Sequence, residues 1–567
     1  MKYPFREKIP RRWCLAFGKV DSIEKPIWQD DRLAIVGLDS SVPWVLSPSG
    51  RFVIVGDVWI SDRQLRERFP DGNPALPFRD LRLVASAWER WGEETFRELV
   101  GIFGFAVWDR ERQILQAGRD RVGGRTLYYT IDGTTRWIAP DSRSLLPHHS
   151  RDIDPIALRD YLCCAFVPGK RTLWRQIREV EPGTALSLPE ERVRAYWELP
   201  VTDSLEEESK KSLEWHGQNL RSLLDRVVID CLPAGEPVGV FLSGGLDSSA
   251  VTAIARKFHD APVHTYSIHF GKDRPNELEF SGLVAQHCGT EHHILEITFR
   301  QMWQRLPETM ARLDDPIGDP LTVPNLLLGN LAREAVGVIL NGEGGDPCFG
   351  GPKNQPMLLD RLYGDVTGQD PVYSYLLSFQ KCASDLPRLL KPEIWETVRG
   401  ETSVFAEYLH ANAGYLNRLM ALNIKFKGAD HILTKVNNLT GAVGLEGRSP
   451  LFDPRIVELS NRIPPEYKLS GVREKAVLKE AIADLLPERI VERPKSGMMV
   501  PVQRGFKEYW QREARSLLLN RKAKIAPYLE RSIVRDWLRY EGDTWQRYGV
   551  KLWLLVSLEI WLQVNSK

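Results

Sequence analysis

The sequence predicts a multidomain α/β protein in two parts, a mostly β amino-terminal half and a parallel α/β carboxyl-terminal half that ends in a helical extension. Three features predict it. Short apolar runs punctuated by turn signals fill the first 200 residues. A loop rich in glycine and serine then follows an apolar run at 238–242 and opens a helical stretch, and two more apolar runs alternate with helical spacing after it. At 567 residues, 43% hydrophobic and 27% charged, the chain has material for two to four globular domains.

In the first half, 51–58, 102–108, 113–117 and 126–131 read as strands, with turns at Asp132-Gly133 and Pro182-Gly183. At 200–211 the composition shifts to Thr, Asp, Ser, Glu and Lys, which places a boundary near 205 and divides the chain into domains 1–205 and 206–567. Leu213, Leu220, Leu223, Leu224, Val227 and Val228 then recur at helical spacing. That helix leads into the first of three expected parallel strands, 238–242, 263–270 and 336–340. Beyond 355 the apolar spacing is mainly helical. The run 552–562 is interrupted by Ser557 and Glu559 and falls short of the roughly 20 apolar residues that span a bilayer, so it reads as a buried terminal helix.

Composition excludes several classes. A formal net charge of +1 gives no basis for non-specific binding to nucleic acid or to a membrane surface. Seven cysteines, an odd number with no Cys-x-x-Cys spacing, fit a reduced, cytoplasmic setting. The first eight residues carry charges and a proline where a signal peptide needs an apolar core.

The chemistry gathers at the carboxyl ends of the three strands, where open parallel sheets bind ligands. Ser243-Gly244-Gly245-Leu246-Asp247-Ser248-Ser249 follows Leu242 with glycines that let backbone N–H groups approach an anion, then starts a helix. It lacks the lysine and spacing of a Walker A loop, and its fixed charge is the carboxylate of Asp247. A carboxylate beside a triphosphate implies Mg²⁺ between them, with Ser243, Ser248 and Ser249 free to hold pyrophosphate, as in cleavage of ATP to AMP and pyrophosphate. The second strand ends in Ser267-Ile268, and the third runs into Asn341-Gly342-Glu343-Gly344-Gly345-Asp346. Asp346 is suited to complete a Mg²⁺ site with Asp247, leaving Glu343 to orient or deprotonate an amine. Lys495, flanked by Pro494 and Gly497, is a candidate cation for transition-state charge.

These residues resemble the asparagine synthetase superfamily across nearly the whole chain. The resemblance rests on 243–249, on Gly342-Glu343-Gly344-Gly345-Asp346 with Phe349-Gly350-Gly351, on Gly444-Leu445-Glu446-Gly447-Arg448-Ser449-Pro450-Leu451-Phe452-Asp453, and on Arg493-Pro494-Lys495-Ser496-Gly497. The amino-terminal half resembles that family's glutaminase domain through 99–109 and Gly118-Arg119-Asp120-Arg121-Val122-Gly123. The fold it implies is a degenerate glutaminase-like αββα domain, followed by an adenine-nucleotide α-hydrolase-like (PP-loop) synthetase domain. Glutamine-using members carry a cysteine directly after the initiator Met; this chain has Lys2 there and Cys14 as its first cysteine, so glutamine hydrolysis is expected to be absent.

The resemblance implies Mg·ATP-dependent adenylation of a carboxylate, followed by amine attack on the acyl-adenylate. Leu242, Ser243, Gly244, Gly245, Asp247, Ser248, Ser267, Ile268, Asn341 and Gly342 would hold ATP or pyrophosphate, Asp247 and Asp346 the magnesium, and Glu343 and Lys495 the acyl-transfer chemistry. Among family members, β-lactam synthetases carry a Tyr where this chain has Glu343, and ammonia-dependent asparagine synthesis remains an alternative. Lasso-peptide macrolactam synthetases, which join a peptide's amino terminus to an Asp or Glu side chain, match best. They imply a leader-cleaved precursor peptide as substrate, with a leader-peptide-binding protein and a protease as partners. An inactive peptide-binding scaffold is the non-enzymatic alternative. Two departures from the family pattern, Pro347-Cys348 and Asn437, are expected to reshape the acceptor pocket.

Overall fold

The computed structural model describes residues 13–20, 23, 25–37, 42–69, 77–201, 206–271, 276–351, 370–470, 473–493, 500–544 and 546–566. Two six-stranded antiparallel sheets stack in the amino-terminal half. One runs Arg178–Glu179, Tyr128–Asp132, Thr135–Ala139, Trp13–Phe17, Leu33–Gly37, Trp28–Gln29; the other runs Arg192–Ala195, Thr184–Leu188, Ile114–Arg119, Gly101–Asp109, Phe52–Ile60, Trp44–Leu46. The four expected strands are among them. The other eight are two to five residues long.

Successive side chains of a strand point to opposite faces, and this sorts the layers. Trp13, Leu15 and Phe17 point between the sheets, where they meet Val53, Val55, Trp108, Leu115 and Leu186. Cys14 and Ala16, one residue out of phase, point outward beneath the helix Pro155–Cys164. On the far side, Ile54, Phe103, Phe105 and Val107 receive Leu81, Val84, Ala85 and Trp88 of the helix Arg79–Trp91. The order is helix, sheet, sheet, helix.

The carboxyl-terminal half is built on five parallel strands, in the order Glu291–Glu296, Val263–His269, Val238–Phe241, Val338–Leu340, Glu446–Arg448. The three expected strands are the central ones. Both edges escape a hydrophobicity reading: Glu291–Glu296 is largely polar and partly exposed, and Glu446–Arg448 carries no hydrophobic side chain. The strand order reverses beside Val238–Phe241, which puts a crevice at the carboxyl end of that strand.

The helix Leu213–Cys231 buries Leu220, Leu224, Val227 and Val228 as its spacing predicts. The sandwich's last strand ends at Ala195, and residues 202–205, where the expected boundary falls, lie outside the described residues. The terminal helix Tyr548–Asn565 buries every residue from 552 to 562. Its Glu559 is accommodated because the carboxylate accepts the backbone N–H groups of Lys524 and Ile525, both at 3.0 Å. The same helix ties the two halves together: the Tyr161 hydroxyl donates to the Leu554 carbonyl at 2.9 Å, and Trp561 packs on Trp174. Among the described residues, no helix is long and apolar enough to cross a membrane.

Candidate active site

The glycine loop is shaped by close approaches that only glycine permits. Gly244 has φ +77°, and a Cβ there would lie 2.6 Å from the backbone nitrogen of Ser281. Gly245 then caps the helix Leu246–Phe258. The serines fasten the turn: the Ser243 N–H donates to Ser248 Oγ at 3.2 Å, the two hydroxyls lie 3.1 Å apart, and the Gly245 N–H donates to Ser243 Oγ at 3.3 Å. The acidic turn after Val338–Leu340 packs directly on this loop. A Cβ on Gly342 would lie 2.4 Å from the Ser248 nitrogen, and one on Gly345 would lie 2.1 Å from an oxygen of Asp247.

This packing brings Asp247 and Asp346 together, and a third residue stands between them. The Lys475 ammonium lies 2.6 and 2.8 Å from the two oxygens of Asp247 and 2.6 Å from Asp346 Oδ1. Burial alone would pull this ammonium down, but the Asp247 and Asp346 carboxylates outweigh it and hold it above the usual lysine value. Lys475 takes a left-handed backbone, φ 53°, at the start of the helix Ala476–Ile482, and Lys479, one turn later, faces the same space. Neither lysine is among the residues singled out by sequence. The available signal is two lysines four residues apart that bracket the apolar run Ala476-Val477-Leu478.

Across the crevice, Asn341 is buried. Its side-chain amide donates to the Arg448 carbonyl at 3.1 Å, and its oxygen accepts the Glu343 N–H at 3.0 Å, which fixes the acidic turn to the neighbouring strand. Lys435 faces Glu343 and donates to Asp319 at 2.7 Å. Burial lowers the Lys435 ammonium, and Asp319 and Glu343 more than restore it. His431 lies 3.3 Å from the same Asp319 oxygen and is pushed down to about 4 by burial.

The cavity enclosed here has a volume of about 330 Å³ and is lined by Leu242, Ser243, Gly245, Asp247, Ser248, Ser267, Ile268, Asn341, Gly342, Glu343 and Asp346. Gly244 shapes the loop and is not among the residues that line the cavity; its carbonyl accepts from Arg493, which does line it, at 3.1 Å. Ser267 lines the wall with its hydroxyl already committed to the Leu242 carbonyl. Lys495 lies outside the described residues. Of the departures at 347–348 and 437, none lines this cavity. Cys348 is buried behind the acidic turn, and Asn437 accepts from Arg125 of the sandwich at 3.1 Å, on the side of the helix Thr434–Ala442 that faces the other domain.

The residues present fit a magnesium-dependent nucleotide site. The converging donors are carboxylate oxygens, which suit a hard cation that takes one or two protein carboxylates beside phosphate oxygens and water. Lys475, Lys479, Lys435 and Arg493 surround the same space with positive charge.

The sandwich offers a different chemistry. Its cysteines, Cys14, Cys163 and Cys164, are all buried. Burial, with Asp141 adding at Cys14 and neighbouring groups at the other two, pushes each thiol above its ordinary value, so none is poised as a thiolate nucleophile. Lys2 lies outside the described residues.

Comparison with known proteins finds a family match in each half of the chain. A family model described as asparagine synthase matches residues 219–563, and one described as a glutamine amidotransferase domain matches residues 23–197. Asparagine synthetase [glutamine-hydrolyzing] 1 of Bacillus subtilis (strain 168) is 25% identical over 480 residues, 77% of this chain and 74% of that protein. Asparagine synthetase [glutamine-hydrolyzing] 3 of the same organism is 28% identical over 497 residues, 82% and 78% of the two chains. Amidase chyE of Penicillium rubens is 24% identical over 492 residues, 74% and 73% of the two chains.

Proposed function

Because the chain belongs to the asparagine synthase family and is an ATP-dependent carbon–nitrogen ligase, we propose that it closes a macrolactam in a peptide. In this reading it adenylates an Asp or Glu side-chain carboxylate of a leader-cleaved precursor peptide, releasing pyrophosphate. The peptide's own amino-terminal amine then attacks the acyl carbon and expels AMP. The attacking nitrogen must be neutral, since an ammonium has no lone pair, and Glu343 at the cavity wall is the group to take its proton. Ser243, Gly245 and Ser248 would cradle pyrophosphate, and Lys475 would balance charge on the reacting phosphate. Asp247 and Asp346 would hold Mg²⁺, which when bound neutralises phosphate charge.

The observation behind a nucleophile other than glutamine-derived ammonia is the state of the sandwich thiols, buried and raised at Cys14, Cys163 and Cys164. A macrolactam synthetase of this kind would work in the cytoplasm beside a leader-binding protein and a protease. The test is mass spectrometry of candidate core peptides incubated with the chain, ATP and Mg²⁺, together with those partners. Loss of one water with AMP and pyrophosphate release supports the reading.

The names of the relatives favour a second reading, amidation of aspartate with ammonia. Asparagine formed from aspartate and ammonium salts, with peptides left linear, would establish it instead. Cyclisation of small β-amino acids alone would point to the β-lactam type. Absence of substrate-dependent pyrophosphate release with every substrate class would leave only a binding scaffold.

A further inference from the structure

Two histidines and a glutamate converge on the outer part of the parallel sheet, away from the residues assigned to ATP. His264 is the second residue of Val263–His269, and Glu291 and His293 are the first and third of the edge strand Glu291–Glu296. The parallel register pairs His264 with Glu291 and Tyr266 with His293, and the two-residue period places all four side chains on one face. His292, between the two ligand candidates, points to the other face and lies 2.9 Å from the Thr265 hydroxyl.

The three side chains already meet as a hydrogen-bonded imidazole pair with an ion-paired carboxylate, at distances short enough for one ion to replace those contacts. His264 Nδ1 lies 3.1 Å from His293 Nε2 and 3.4 Å from a Glu291 carboxylate oxygen. One ligand atom from each residue falls within 4.8 Å of the other two. Donors each about 2.1 Å from a shared ion lie about 3.1 Å apart at a near-right angle and about 3.4 Å apart at the tetrahedral angle. The imidazoles are also held in place. The His264 and His293 rings stack at 5.4 Å and 20°, and Tyr266 covers His293 at 4.9 Å and 15°. His264 is buried, whereas Glu291 is 63% exposed at the side chain, which gives an ion a path in from solvent.

We infer that His264, Glu291 and His293 form a three-ligand site for a divalent transition metal. Zn²⁺ is the best match to two imidazoles and one carboxylate, with water in the fourth position. The ion would clamp the polar edge strand Glu291–Glu296 to its neighbour, a strand whose hydrophobic contribution to the sheet is small. Because it binds only the folded arrangement, it stabilises that state by mass action.

The full chain, stripped with a chelator that is then removed, is titrated with Zn²⁺ by calorimetry and with Co²⁺ as a spectroscopic probe. One equivalent binds per chain, the Co²⁺ form shows d–d bands of an imidazole- and carboxylate-ligated ion, and Zn²⁺ raises the melting temperature. His264→Ala and His293→Ala each weaken binding by on the order of 100-fold or more, while His287→Ala, outside the cluster, leaves it unchanged. Glu291→Gln, at an exposed position, tests the third ligand without disturbing buried packing. Lack of stoichiometric binding, equal displacement by Mg²⁺, or undiminished affinity in the His264 and His293 variants would overturn the site.

Discussion

Asp120 in the sandwich and Asp247 in the nucleotide loop are both aspartates set among glycines, and they are used in opposite ways. Asp120 has no exposure to solvent, and its two oxygens accept four backbone N–H groups, from Phe103 and Arg125 on one oxygen and Val122 and Gly124 on the other, at 2.9–3.2 Å. Asp247 meets a side-chain ammonium, that of Lys475, at the wall of a cavity. Backbone donors consume a carboxylate's acceptor capacity and tie a loop shut. An ion pair at an opening can exchange partners when a phosphate or a metal arrives. The glycines follow suit: Gly124 makes room for Ile102 of the sheet, whereas Gly345 makes room for the Asp247 carboxylate itself. The sandwich motif is therefore accounted for by folding and the loop motif by chemistry.

The largest effects expected from this contrast are at Lys475 and the two carboxylates it bridges. Lys475→Met should lower substrate-dependent pyrophosphate release by about 10²–10³-fold or more, with a melting temperature within a few degrees of the parent. Asp247→Ala and Asp346→Ala should abolish the same signal, since each removes an assigned carboxylate from the site. Release at parental rates in these variants would remove the cavity from the mechanism.

Asp120→Asn should do the reverse. One amide oxygen replaces two carboxylate oxygens, which leaves buried N–H groups facing an NH₂, at a cost of about 2–4 kcal/mol in denaturant unfolding. Turnover per folded molecule should stay within about twofold. A variant of normal stability and lost turnover would make Asp120 part of the chemistry and end the contrast.

How much of this was legible depends on what each element is made of. Val238–Phe241 and Val338–Leu340 are continuous apolar runs that lead into glycine turns, so these strands and the loop at 243–249 could be read directly, whereas Val263–His269 interleaves His264, Thr265, Ser267 and His269 with its apolar residues. The edge strands, at Glu291–Glu296 and Glu446–Arg448, are held by register with their neighbours rather than by their own hydrophobicity. Lys475 was hidden for a related reason. Its identity as the bridge between Asp247 and Asp346 depends on a left-handed turn and on a fold that brings residues 228 positions apart into contact. Asn437 could be marked as a departure from the family pattern, but which of two neighbouring cavities it adjoins depends on how the helix Thr434–Ala442 packs. The role of Gly244 was half legible: the positive φ follows from the glycine, but not the direction in which its carbonyl points.

Lys468 extends the comparison from carboxylates to lysines. It is as buried as Lys475, but no pair of carboxylates surrounds it, and burial pulls its ammonium to about 7. Its folded value thus lies below the unfolded value of about 10.4, so between those values the unfolded chain binds more protons. Stability should rise with pH from about 7 to about 10, with the penalty fully present below pH 7. Lys468→Met should stabilise the protein at pH 6 by on the order of 2 kcal/mol, and the gain should vanish above pH 10. A gain that is the same at every pH would mean that the ammonium is not the source.

The smallest effect is expected at the sandwich thiols, and it is the sharpest test of whether that half carries chemistry. Cys14 lies beneath the helix Pro155–Cys164, and Cys163 and Cys164 lie within that helix; burial raises all three thiols. A glutamine-like electrophile needs a thiolate. The native protein should therefore remain unlabelled at all three positions, should release ammonia from glutamine no faster than buffer, and should keep its pyrophosphate release after treatment. Unfolding in denaturant should expose all three to labelling, which shows that the reagent is competent. Labelling of native Cys14 accompanied by glutamate formation would place a working glutaminase in the sandwich. Ammonia would then become the nucleophile to expect, and Asp120 would have to be reconsidered as part of an active domain.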